Sequence, residues 1–156
     1  MLDVKAVKKV AVLEVSIYIH ISNKDKASNM VKANALLEFV DSKGKPHTRM
    51  AETAEEGGTK NSIALKAAVQ ALKMLVKPCT VTIYTDNTYI KSCVVNGWMQ
   101  KWQQDGWLKP DGSVPANINL WKDFYISSHT HKIKFMPYKA RQEFKIKSKE
   151  AGNGRD

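Results

Sequence analysis

Cysteine is scarce: 2 in 156 residues, Cys79 and Cys93. Two thiols make no disulfide framework and show no metal-ligand spacing, so reduced thiols in a cytoplasmic setting are expected. Glycine (8) and proline (5) form no repeat or low-complexity segment. No apolar run approaches the roughly 20 residues that cross a bilayer. MLDVKAVKKV at the start carries Asp3 and no unbroken apolar stretch, so no signal peptide is expected there. Acids are also few: 15 Asp and Glu against 25 Lys and Arg leave a formal charge of +10. That surplus points to a polyanionic partner, nucleic acid or an anionic membrane surface; nucleic acid and no membrane is the expectation. What is present, 43% hydrophobic and 26% charged residues, is an ordinary globular balance that excludes wholesale disorder.

Val10–Ser22 (VAVLEVSIYIHIS) alternates, with Leu13, Val15, Ile17, Ile19 and Ile21 on one face and Glu14, Ser16, Tyr18 and His20 on the other. Period two predicts a half-buried strand. Ala33–Val40 reads as a second strand, Asp41-Ser42-Lys43-Gly44 as a turn, and Lys45–Ala54 as a third strand pairing back antiparallel, broken by Glu55-Glu56-Gly57-Gly58. Leu65, Val69, Leu72 and Val76 at three- and four-residue steps predict a helix over Asn61–Lys77, capped by Asn61 or Ser62 and stopped by Pro78. Cys79–Asp86 (CTVTIYTD) is a β-branched strand ending in an acid, and Asn87 can cap a short helix to about Val95. Trp98 and Trp102 share a helical face, Pro110-Asp111-Gly112 is a turn, Leu120–Ile126 a helix and Lys132–Tyr138 a last strand. The predicted architecture is one α/β domain over residues 1–138 with a mixed sheet, followed by a basic segment, 139–156, that is a helix or a frayed tail.

Five stretches carry a family resemblance: AAVQALKML at Ala67–Leu75, VTIYTDNTYI at Val81–Ile90, WMQKWQQDGWLKPDG at Trp98–Gly112, NINLW at Asn117–Trp121 and HKIKF at His131–Phe135. In order and spacing the chain resembles ribonuclease H of type 1 from about Val15 to Phe135. The resemblance implies a ribonuclease H-like fold: a five-stranded mixed sheet with helices on both faces. It also implies cleavage of the RNA strand of RNA–DNA hybrids by two Mg²⁺ ions held by four acids. Such ions sit roughly 3.5–4 Å apart and clamp the attacking and leaving oxygens. They demand several hard oxygen ligands.

Most of those acids are absent. Matching IYIHIS to the first-strand motif places His20 where the first Asp belongs, and matching IALKAA to the helix motif places Ala64 where the Glu belongs. Asp86 retains the strand-end position. Glu14 is about 20 Å away at strand rise and is no substitute. Arg141 stands where the family has a loop His, and the last Asp falls near Glu150 or Ala151, with Glu143 the other local acid. One carboxylate cannot hold two Mg²⁺ ions; a His20–Asp86 pair suits a single Zn²⁺ or Mn²⁺ better.

The resemblance further matches Thr59 and Asn61 to residues that contact nucleic acid ahead of the first helix; helix capping is the alternative role for both. Lys101, Trp102 and Lys109 fall in the basic handle, whose aromatics can stack on bases or simply build the handle. Gln103, Gln104 and Asp105 thin its charge. Lys139 and Arg141 belong to the basic C-terminal segment, which can bind phosphate or serve as a solvated face. The leading expectation is a monomeric nucleic-acid-binding pseudoenzyme for RNA–DNA hybrid or double-stranded RNA, with cleavage absent or weak. The alternatives are an active hybrid ribonuclease using Asp86 with Mg²⁺ or Mn²⁺ and ligands not yet recognised, and a protein-interaction scaffold. Divergence of this sort resembles that of family members on mobile genetic elements.

Overall fold

The computed structural model describes residues 13–22 and 26–138. The elements are β1 (Leu13–Ile21), β2 (Met30–Val40), β3 (Pro46–Glu56), α1 (Lys60–Lys73), β4 (Cys79–Tyr84), α2 (Thr88–Val95), α3 (Trp98–Gln104), α4 (Ile118–Ser128) and β5 (Lys132–Met136). They build the expected five-stranded mixed sheet, in the order β3-β2-β1-β4-β5. β1, β2 and β3 form an antiparallel meander, and β1, β4 and β5 run parallel. β1 is central because it is apolar on one face throughout and long enough to serve two neighbours.

Val15, Ile17 and Ile19 of β1 lie in register with Val81 and Ile83 of β4 and with Ala35 and Leu37 of β2. All are buried, and the buried side chains of α1, together with Ile90, Cys93, Met99, Trp121 and Phe124, join the same core. Alanines at 64, 67, 68 and 71 let α1 settle close to the sheet. The four described helices thus share one side of the sheet. The basic segment 139–156, expected as a helix or a frayed tail, lies outside the described residues.

Several boundaries differ from expectation for local physical reasons. α1 is capped by Thr59, not by Asn61 or Ser62. Thr59 Oγ1 accepts the Ser62 backbone N–H (3.0 Å) and Ser62 Oγ accepts the Thr59 N–H (2.9 Å), a reciprocal capping box. Ser62 Oγ also donates to Glu55 Oε1 at 3.0 Å. A Cβ at Gly58 would lie 2.5 Å from that oxygen, so a larger residue there would have to displace the Glu55 carboxylate from Ser62. Glu55 and Glu56 therefore belong to β3, whose register reaches Met30↔Glu56. α1 stops at Lys73 rather than running to Lys77; the Met74 and Leu75 N–H groups close three-residue turns onto Ala71 and Leu72. Val76, expected on the buried stripe, is 92% exposed. Tyr18, expected on the polar face, is buried and stacked on Tyr84, its partner in the parallel register, at 4.5 Å.

His131 ties the start of β4 to the turn before β5. Its Nδ1 accepts the Cys79 backbone N–H at 2.9 Å. Burial first, and then the nearby His129, lower its pKa. Only an unprotonated Nδ1 can accept that bond. Between the lowered folded pKa and the ordinary value near 6.5, the unfolded chain binds more protons than the folded one. The His131 contribution is therefore complete above about pH 6.5 and is lost as pH falls through that value. Thermal melts from about pH 7.5 down to 5 should show a Tm decline that is shallower in His131→Asn; equal slopes would refute the assignment.

Candidate nucleic-acid interface

The parallel pairing of β1 with β4 ends at Tyr18↔Tyr84. His20 and Asp86 each lie two residues past that pair, so both flank the carboxyl edge of the parallel strands. Ligand sites of open α/β sheets collect at that edge. His20 is exposed, and its Nδ1 lies 3.1 Å from the Tyr138 hydroxyl. The Tyr138 backbone N–H donates to Asp86 Oδ1, also at 3.1 Å. The segment following β5 thus reaches both predicted site residues at once.

The start of α1 meets the same edge. Asn87 Oδ1 accepts the Ile90 N–H (3.1 Å) and caps α2, while Asn87 Nδ2 donates to Asn61 Oδ1 at 2.9 Å. Asn61 does not cap α1; its side chain bridges α1 to the residue after Asp86. His20, Ser22, Lys60, Asp86, Asn87 and Tyr138 line an open cavity of about 320 Å³. Ala64 is wholly buried in α1 and offers no side-chain oxygen. Lys60 and Tyr138 had no part in the expected site. The signal for Lys60 is its place beside a helix-capping threonine, and the signal for Tyr138 is its place at the start of the loop that ends in Arg141.

A pair of Mg²⁺ ions does not fit these donors. Among the described residues no three His, Cys, Asp or Glu side chains come together in a way that could hold a metal ion. The side chains at His20, Ala64 and Asp86, which the resemblance matches to three of the four acids, are one imidazole, one methyl group and one carboxylate. Mg²⁺ prefers hard oxygens and tight octahedral geometry. Lys139, Arg141, Glu143, Glu150 and Ala151 lie outside the described residues.

A second cluster occupies the handle. Tyr89, Trp98, Lys101, Trp102 and Lys109 line a cavity of about 450 Å³ together with Cys93. Burial raises the Cys93 thiol pKa to about 11, so it is a neutral, inert wall at physiological pH. Trp98 is 49% exposed, whereas Trp102 packs partly against the core and meets Trp121 edge-on at 6.2 Å. Trp98 thus faces outward, while Trp102 both lines the cavity and packs inward. Asp111 Oδ1 accepts the Ser113 hydroxyl (2.6 Å) and N–H (2.9 Å), bonds that lower its pKa and fix the turn beneath Lys109. Asn117 sits in a left-handed conformation and donates to the Tyr89 hydroxyl at 3.2 Å, a structural link from handle to helix.

A β3-β2-β1-β4-β5 sheet with Asp86 just past β4 beside central β1, a first helix aimed at their shared edge and an aromatic-basic handle define a ribonuclease H-like domain. The chain belongs to the RNase H family, whose family model, described as RNase H, matches residues 15–148. It is 38% identical over 89 residues to Ribonuclease H of Caldanaerobacter subterraneus subsp. tengcongensis, covering 57% of this chain and 58% of that protein. It is 34% identical over 101 residues to a Ribonuclease H of Thermus thermophilus, covering 65% of this chain and 58% of that protein. The chain thus spans 58% of the length of both curated relatives. Among solved structures it resembles LC9-RNase H1, a type 1 RNase H with the type 2 active-site motif (TM-score 0.68, 23% identity, 83% of this chain, 64% of that one). It also resembles a foamy viral protease-reverse transcriptase in complex with RNA/DNA hybrid (TM-score 0.57, 14% identity, 80% of this chain, 17% of that one). These two likenesses are of fold.

Proposed function

We propose that this protein is a nucleic-acid-binding member of the RNase H family, taking RNA–DNA hybrid or double-stranded RNA, in which hybrid cleavage is absent or very slow. The observation that carries this reading is the donor set at the sheet edge. Asp86 is the single carboxylate among His20, Ala64 and Asp86, and Tyr138 already engages both Asp86 and His20. The net charge of +10 and the handle lysines supply a phosphate-seeking surface that needs no metal. The two buried free thiols, and the lack of any described helix long and apolar enough to cross a membrane, fit a protein working in a reducing cytoplasm.

The rival reading, an active hybrid ribonuclease, draws support from relatives named Ribonuclease H. It needs Glu143 or Glu150 beside Asp86. A parallel binding and cleavage assay on hybrid, RNA duplex and DNA duplex, each with Mg²⁺ and with Mn²⁺, separates the two. Binding without turnover supports the proposal. If roughly six phosphates are neutralised, log K should fall against log salt with a slope of about −5. A flat salt response removes the nucleic-acid reading altogether.

A further inference from the structure

We propose that Lys60 takes the place of the divalent ions, so that the cavity between His20, Lys60, Asp86 and Asn87 receives a nucleic-acid phosphodiester with no metal present. This rests on the nucleic-acid-binding reading above and names the chemistry of its central contact. The first support is the balance of charge. Four carboxylates need two divalent cations to close to neutrality. Among the described groups that line this cavity, Asp86 carries one negative charge and Lys60 one positive charge. Among the described residues the local sum is thus zero, and no acid besides Asp86 lines the cavity to repel a phosphate.

The second support is where Lys60 stands. It is the first residue of α1, a 14-residue helix, directly after the Thr59 cap. Its ammonium has no hydrogen-bond or ion-pair partner among the described residues, whereas Lys66 donates to the Ala54 carbonyl. The first intrahelical bond at this end runs from Ile63 N–H to Thr59 O. The N–H groups of Lys60 and Asn61 therefore lie in the turn whose donors face out of the helix end, where anions are favoured. An unengaged ammonium, a helix end and a cavity thus converge. Lysine suits this role as a compact point charge that binds phosphate without fixed coordination geometry.

The third support is the state of Asp86. Its Oδ1 accepts the Tyr138 N–H, which offsets part of the charge it presents to an incoming phosphate. His20 is turned to the Tyr138 hydroxyl through Nδ1. The centre is thus held together by hydrogen bonds between protein groups, and Lys60 remains as its unengaged cation.

The test is hybrid binding by the full 156-residue chain in excess EDTA, over roughly 50–200 mM salt, for wild type, Lys60→Ala and Lys60→Arg. The expected result is binding in EDTA, weakened about three- to tenfold by Lys60→Ala, with the log–log salt slope shallower by about 1. Lys60→Arg, which keeps the charge, should restore both. Lys60 is exposed, so neither change threatens the fold. Unchanged affinity and slope in Lys60→Ala overturn the inference and leave nucleic-acid binding standing. Wild-type binding that appears only with Mg²⁺ overturns it as well. Failure to bind hybrid or RNA duplex under either condition sinks the wider reading instead.

Discussion

Incubated with a labelled RNA–DNA hybrid and Mg²⁺, the protein should leave the RNA strand intact, at a rate at least about a thousandfold below that of a relative with all four acids. Metal ions that stabilise developing charge supply several kcal/mol of barrier reduction. Each 1.36 kcal/mol is a factor of ten, so losing about 4 kcal/mol gives three decades. The same outcome is expected with Mn²⁺, although His20 suits that ion better, because Nδ1 of His20 is engaged by Tyr138 and Asp86 by the Tyr138 backbone. A complementary experiment rebuilds the acids. His20→Asp with Ala64→Glu returns two carboxylates to the positions where the family pattern has them. Ala64 is wholly buried, so the new Glu is expected to lower the Tm in the absence of metal. Added Mg²⁺ should raise the Tm of the double variant through ligand linkage and leave that of the wild type unmoved. Robust Mg²⁺-dependent turnover by the wild type, abolished in Asp86→Asn, would overturn the proposed function.

The parts of this molecule that could be read from its sequence are those governed by local periodicity. The alternation through Val15, Ile17 and Ile19 fixed the central strand, and the Leu65, Val69 and Leu72 spacing fixed the buried face of α1. Asn87 is the cap it was expected to be, because an Asx side chain meets the third following N–H through local geometry alone. The failures occur where a distant residue decides. Tyr18 alternates as a polar-face residue, yet parallel pairing sets Tyr84 against it. Glu55 looks like part of a strand break until β2 extends to Met30 and Ser62 takes up its carboxylate. The site follows the same rule. Asp86 was legible just past a strand end, and His20 and Ala64 stand where the resemblance matches acids. That Tyr138 joins His20 to Asp86, across separations of 118 and 52 residues, had no local signal. The convergence of Lys60 on the same cavity depends on how α1 is anchored by Thr59, Ser62 and Glu55, of which only the neighbouring Thr59 is a local signal.

The largest stability effect is expected at Trp121. It is fully buried in α4 and meets three neighbours: Trp102 edge-on, Phe124 edge-on at 5.5 Å and Tyr89 tilted at 5.8 Å. Its Nε1 donates to the Tyr89 hydroxyl at 2.8 Å, and that hydroxyl also takes the Asn117 amide. One indole thus joins α2, α3 and α4, the elements that carry the handle. Trp121→Ala should cost about 3–5 kcal/mol through lost burial and the cavity left behind. Against a total of roughly 5–15 kcal/mol, that is a large share of the fold's stability. The Tm should drop by roughly 6–20 °C. Trp121→Phe keeps an aromatic edge and loses mainly the N–H bond, so about 1 kcal/mol is expected from that bond, plus part of the packing loss. The order of the two variants matters as much as their size. If handle geometry depends on Trp121, hybrid affinity should fall in Trp121→Ala at temperatures where the protein is still folded. The Lys101–Trp102–Lys109 cavity rests on the ring that was removed. A loss below about 1 kcal/mol in Trp121→Ala, read from denaturant or thermal unfolding, would mean that the handle is held from elsewhere.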